Sequence, residues 1–213
     1  MSTKIASTRV RLPPEQRAAE IVRAAKQIAR DEGLGALAVR PIAALAQVTP
    51  GLVTHYFSLD ELIAKAYTAL ASEEYDEMTK AFENLPGPVE KLDAVLESSL
   101  SEEYAAVTFV WVESWAVARR NPHLKSALRE QAGVWHRLVR DIIEEGMSLL
   151  EFHVESADET AWQLLALIDG TSAHASMREV DDPLTESTLR RSAAAILGRF
   201  ESPNLRVANA AQT

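Results

Sequence analysis

Two groups of residues in this chain carry side chains able to do chemistry. The first is the run Thr49-Pro50-Gly51-Leu52-Val53-Thr54-His55-Tyr56, which sets hydroxyls, an imidazole and a glycine in close succession. Hydroxyls suit phosphate oxygens, a short polar side chain or an imidazole reaches a base edge, and an apolar tip meets a thymine methyl. The second group is Trp111, Glu113 and Trp115 inside one apolar run, with Trp135, His136, Trp162, Asp169 and His174 further on. Indole faces and a carboxylate can hold a cation. A carboxylate in apolar surroundings needs a partner or a large desolvation cost follows. Neither group is a catalytic constellation. There is no HExxH, Walker A, GxGxxG or GxSxG, and no cysteine anywhere. The chain is therefore expected to be no enzyme, with no metal and no cofactor.

Both groups must be positioned by helices. Ala18, Ile21, Val22, Ala25, Ile28 and Ala29 follow the spacing of one helix face, closed by Gly33. A short second helix carries Ile42, Leu45 and Ala46. Thr49 is a good N-cap and Pro50 a good first residue for a third, short helix. Ser58 caps a fourth that runs to about Asn84. A fifth has its face at Val89, Leu92, Val95, Leu96 and Leu100. The sixth, residues 104–119, is apolar nearly all round, which predicts burial on every side. A seventh runs from Asn121-Pro122 to about Leu150, an eighth from about Ala157 to Met177, and a ninth holds Leu189, Ala193, Ile196, Leu197 and Phe200. The fold class is all-α. The division expected is 1–57, 58–201 with the helix 58–84 joining the two, and a frayed tail 202–213.

Charge is divided in the same way. The formal total is −9, yet residues 1–57 hold eight Lys/Arg against four Asp/Glu. A basic head on an acidic body suits a protein whose contact with polyanions is confined to one end. Lys4, Arg9 and Arg11 form a basic arm ahead of the first helix. No apolar run approaches the ~20 residues a membrane span needs, and no signal-peptide core precedes the first helix, so a soluble, cytoplasmic protein is expected. Spacing alone leaves two readings of residues 39–57 open. They are a helix-turn-helix with Thr49–Tyr56 offered to DNA, or a plain helical hairpin within a protein-interaction bundle.

Residues 18–67 resemble the DNA-binding domain of TetR-family transcriptional regulators. The resemblance is carried by Ile21, Ala24, Ala25, Ile28, Gly33, Ile42, Ala43, Ala46, Val48, Gly51, His55, Tyr56, Phe57 and Leu62. Gly-Leu-Val-Thr-His-Tyr-Phe (51–57) is similar to the recognition helix of the choline-responsive betaine-pathway (BetI-like) repressors of that family. Trp111, Trp115-Ala116, Asn121-Pro122 and Leu167-Ile168-Asp169-Gly170 extend the likeness into the body. The resemblance implies a repressor that binds a palindromic operator in double-stranded DNA as a homodimer and is released by a small-molecule effector. The DNA contacts expected on this reading are Arg40, Thr49, Pro50, Gly51, Leu52, Thr54, His55 and Tyr56, with Lys65 as a different phosphate partner in place of the family's lysine at position 60.

Beside it, the residues of the body suggest a cationic or aromatic effector held by Trp111, Glu113, Trp115, Trp135, Trp162, Asp169, His136 and His174. They suggest a dimer face at Ala166, Gly170, Ala173, Leu189, Ile196, Leu197 and Phe200. Three positions depart from the family pattern. Gln47 stands where glycine is usual, Asp60 where a lysine begins the fourth helix, and Ala38 where Thr or Ser caps the second.

Overall fold

The computed structural model describes residues 13–176 and 183–199, which form nine α-helices, two 3-10 turns and no strand. The helices are α1 Pro14–Glu32, α2 Val39–Leu45, α3 Pro50–Tyr56, α4 Leu59–Phe82, α5 Pro88–Ser98, α6 Ala105–Ala118, α7 Pro122–Ser148, α8 Ala157–Ala175 and α9 Pro183–Ile196. The arm with Lys4, Arg9 and Arg11, the residue Phe200 and the tail 202–213 lie outside the described residues.

Local chemistry sets the helix ends. Gly33 closes α1 at φ +87° and donates its N–H to Ala29 O. Ser58 and Glu61 form a reciprocal capping box at the start of α4, and these hydrogen bonds hold the Glu61 carboxyl below its usual range. The Asn121 Oδ1 caps α7 by accepting from the Leu124 N–H at 3.0 Å. Gln47 does take a positive φ, +54°, the strained setting for a non-glycine residue. Ala38 precedes α2 with no side-chain cap.

Two hydrophobic cores share α4. The first joins Ile21, Ala25 and Ile28 of α1, Ile42 of α2, Val53 of α3 and Leu62, Ala66 and Leu70 of α4 with Val110 and Ala118 of α6 and Leu124 of α7. The second gathers Met78 at the far end of α4 with Leu92, Val139, Ile143, Leu164, Leu189 and Leu197. A fully buried Leu or Ile stabilises by roughly 1.5–3 kcal/mol. Both cores therefore resist separation of α4 from either end.

Two expectations are corrected here. The sixth helix is not buried all round. Val110, Ser114 and Ala118 face inward, while Phe109 and Trp115 are 52% and 46% exposed, because neighbours cover only one side of α6 within the protomer. Leu189 and Leu197 belong to the protomer's own second core, each 1% exposed, so neither is available to a partner subunit.

Candidate nucleic-acid interface and ligand cavity

Helices α2 and α3 are joined by the tight turn at Gln47, and α3 stands outermost. Val53 is fully buried and anchors it, with half-buried Phe57 following. Pro50, Gly51, Thr54 and His55 are exposed; Leu52 and Tyr56 are half-buried. A Cβ at Gly51 would meet nothing within 4 Å, so nothing inside the protein requires glycine there. An approaching backbone outside it is the remaining physical reason. The Thr49 hydroxyl oxygen accepts from the Leu52 N–H at 3.3 Å, which leaves its proton free to donate outward. Thr54 donates to Gly51 O at 3.2 Å. Its proton is thereby spent within the helix, and it presents an acceptor and a methyl. Arg40 and Lys65 flank this face and are exposed; Lys65 Nζ lies 5.4 Å from the Phe57 ring centroid. The nine residues expected to touch DNA thus sit on or beside α3. Asp60 is exposed nearby, and its backbone carbonyl accepts from Asn121 Nδ2 at 3.0 Å.

The body encloses a cavity of about 120 Å³. That is space for several waters or a small organic ligand. Tyr67, Ala71 and Glu74 of α4 form one wall and Trp111 and Thr108 of α6 another, with Gln131 and Trp135 of α7 and Trp162, Asp169 and Ser172 of α8 completing it. Among the described residues no Lys, Arg or His lines it. Burial pushes the Glu74 carboxyl up to about 7, helped by the charge of Glu77. Burial alone pushes Asp169 up to about 7. The Tyr67 hydroxyl is raised by burial and then by the charges of Glu74 and Asp169, with Trp111 acting in the opposite direction. An acid-lined, aromatic cavity without a base is suited to a cation.

The expected ligand residues therefore divide. Trp111, Trp135, Trp162 and Asp169 line the cavity. Trp115 packs edge-on against Trp111 at 4.5 Å between centroids and faces outward. His136 is buried behind Trp162, stacked on it at 4.4 Å, with Nε2 3.1 Å from Asp158 O. His174 is exposed and does not line the cavity. Glu113 turns the other way. Its Oε2 accepts from the Leu34 N–H at 2.5 Å and its Oε1 from the Gly35 N–H at 2.8 Å. It thus binds the start of the 3-10 turn Leu34–Ala36, where backbone donors lack partners. A Cβ on Gly33 or Gly35 would fall 2.8 or 2.9 Å from this carboxylate. The glycines admit it, and the carboxylate clasps α6 to the head.

Glu74 and Tyr67 were missed by sequence reasoning, although a signal existed. Tyr67, Leu70, Ala71, Glu74 and Met78 share one stripe of α4, so Glu74 is a carboxylate on a buried face. Its neighbour Glu73 points to the head. Burial works to raise the Glu73 carboxyl, but Lys26 at 3.1 Å and an ion pair with Arg30 outweigh it and hold it below the usual range. Of the residues expected at a dimer face, Ala166 and Gly170 are exposed on α8, Ala173 and Ile196 are half-buried, and a Cβ at Gly170 would meet nothing within 4 Å. No cluster able to hold a metal occurs among the described residues, nor any helix long and apolar enough to cross a membrane.

Comparison with known proteins places the chain among transcriptional regulators. Residues 88–200 match the family described as BetI-type transcriptional repressor, C-terminal. The HTH-type transcriptional regulator BetI of Escherichia coli (strain SE11) is 26% identical over 178 residues, covering 80% of this chain and 89% of that protein. BetI of Rhizobium meliloti (strain 1021) is 26% identical over 173 residues, covering 80% and 82%. Among solved structures, a Rhodococcus sp. protein assigned to the TetR family superposes with TM-score 0.72 at 20% identity, over 86% of this chain and 99% of that one. A Saccharomonospora viridis regulator in complex with choline superposes with TM-score 0.71 at 19% identity, over 83% and 95%.

Two predictions follow from these contacts. Glu113→Ala strands two backbone donors and removes charge-assisted bonds, so urea unfolding should show a loss of about 1–3 kcal/mol. Cation affinity measured by calorimetry should stay within about twofold, since Glu113 does not face the cavity. In the unfolded chain Glu74 and Asp169 ionise at ordinary carboxyl values of 4.5 and 3.8, whereas the folded protein holds both protons up to about 7. Between those limits the folded state binds more protons than the unfolded state. The stability from these groups is full below about pH 4 and drains as pH rises through 7. Glu74→Gln should flatten that decline and raise stability at pH 8 by roughly 1–3 kcal/mol. Equal pH profiles for variant and wild type would contradict the burial of this carboxyl.

Proposed function

The chain belongs to the BetI-type branch of the TetR family of transcriptional regulators, and from that premise we propose that it represses its targets as a homodimer on a palindromic operator until a cationic small molecule enters the cavity. As a member of this family it is a ligand-responsive transcriptional regulator. The observation that carries the finer reading is the make-up of the cavity. Two carboxylates and three indoles face it, no base among the described residues does, and one of its walls is α4, whose first turns are packed into the head. The choline bound to the Saccharomonospora viridis regulator supports a cation as the kind of ligand this architecture takes.

Arg40, Thr49, Pro50, Gly51, Leu52, Thr54, His55, Tyr56 and Lys65 form the DNA face in this reading. Arg40 and Lys65 meet phosphates, and α3 enters the major groove. Two copies joined along the open face of α8, at Ala166, Gly170 and Ala173, with Ile196 of α9 at its edge, would present two such helices to successive grooves. The protein works where the chromosome is, in the bacterial cytoplasm. The acidic body is repelled by DNA and keeps contact to the heads.

The effector acts by binding one head spacing better than the other. Fluorescence anisotropy with duplex DNA from upstream of the protein's own coding sequence tests this. Binding should weaken steeply with salt, and Arg40→Ala, which removes one phosphate contact from each of the two heads, should reduce the salt slope by about 2. A saturating organic cation shown by calorimetry to be bound should release the DNA. Failure to bind any duplex in a salt-dependent way would overturn the proposal.

A further inference from the structure

Hydrogen-bond donors and acceptors are unevenly supplied around the cavity. The Ser98 hydroxyl donates to Val95 O at 3.0 Å, Ser99 to Leu96 O at 2.8 Å and Ser172 to Ser99 O at 3.0 Å. Each proton is spent on the backbone, so each oxygen is left to the cavity as an acceptor only. Two carboxylates add further acceptors. Gln131, Thr108, Tyr67, Trp135 and Trp162 bring donors to the same lining, but its charge-bearing groups are the two carboxyls, and each suits an N–H donor of a ligand cation. A quaternary ammonium has none on its charged nitrogen.

The two carboxylates are also separate subsites. Glu74 comes from α4 and Asp169 from α8, helices that each pack against α7 and make little direct contact with one another. Neither carboxyl perturbs the other, yet the Tyr67 hydroxyl feels both charges. Glu74, Asp169 and Tyr67 line one cavity together with the indoles of Trp111, Trp135 and Trp162. A single cation neutralises one carboxylate and leaves the other uncompensated, at the cost of a buried unpaired charge or a retained proton.

We propose that the effector is a protonated short diaminoalkane, one primary ammonium on Glu74, the other on Asp169, and the methylene chain lying along the indole faces. This rests on the cavity being the site of a cationic effector, and sharpens that reading from a charge to a chemical class. Calorimetric titration of the full chain with putrescine, cadaverine, n-butylamine, choline and tetramethylammonium tests it. At least one of the two diamines should bind at least tenfold more tightly than every monocation, the span expected for one added charge-assisted contact. Glu74→Gln and Asp169→Asn should each bring the diamines down to the level of n-butylamine. In the wild type alone, an advantage below tenfold overturns the diamine proposal while leaving a cationic effector standing. Binding of none of the five compounds overturns both. A diamine advantage that persists in both variants places the second ammonium elsewhere and overturns the assignment.

Discussion

The helix α4 carries two adjacent carboxylates with opposite duties, and the rest of the molecule is arranged around that fact. Glu73 is held ionised by Lys26 and Arg30 of the head, and Glu74 is pressed toward neutrality in the cavity. One peptide unit separates them, so a shift of the α4 backbone at either one moves the other. The two hydrophobic cores fix α4 at its ends, with Leu62, Ala66 and Leu70 in the first and Met78 in the second. A change of charge in the cavity is therefore a change in the load on a helix that cannot slide independently of the head.

Two further contacts tie head to body. Glu113 grips the Leu34 and Gly35 amides from α6, and Asn121 both caps α7 and donates to the Asp60 carbonyl near the start of α4. Trp111, two residues from Glu113, is a wall of the cavity. The head is thus reached from the cavity by α4 and by α6. An effector can act through either only if it prefers one arrangement of these helices, because equal affinity for both shifts nothing.

The helical framework was legible in the sequence because its ends are chemically marked: Gly33, Thr49-Pro50, Ser58 with Glu61, and Asn121-Pro122. The αL turn at Gln47 was legible from the missing glycine. What covers an apolar face was not. Periodicity shows that Leu189, Leu197, Phe109 and Trp115 are apolar, but not whether their own chain, a second chain or solvent meets them. The first pair is interior and the second is open. The partner of Glu113 was hidden for a different reason: it is a pair of backbone amides, and backbone donors have no letter in a sequence. Glu74 was visible in principle, on the stripe with Tyr67, Leu70 and Met78, but adjacent Glu73 made the pair look like a solvated surface. Trp111, Trp135, Trp162 and Asp169 were found because aromatic rings and a lone mid-helix acid seldom serve solvent alone.

The central claim is that filling the cavity with a cation moves the heads. Because the chain has no cysteine, Ala44→Cys on exposed α2 gives one spin-label site per protomer, and pulsed electron paramagnetic resonance reads the distance between the two heads of the dimer. With a cation shown by calorimetry to be bound, the distance distribution is predicted to shift from that of the free protein. An unchanged distribution with the cavity occupied would contradict the account.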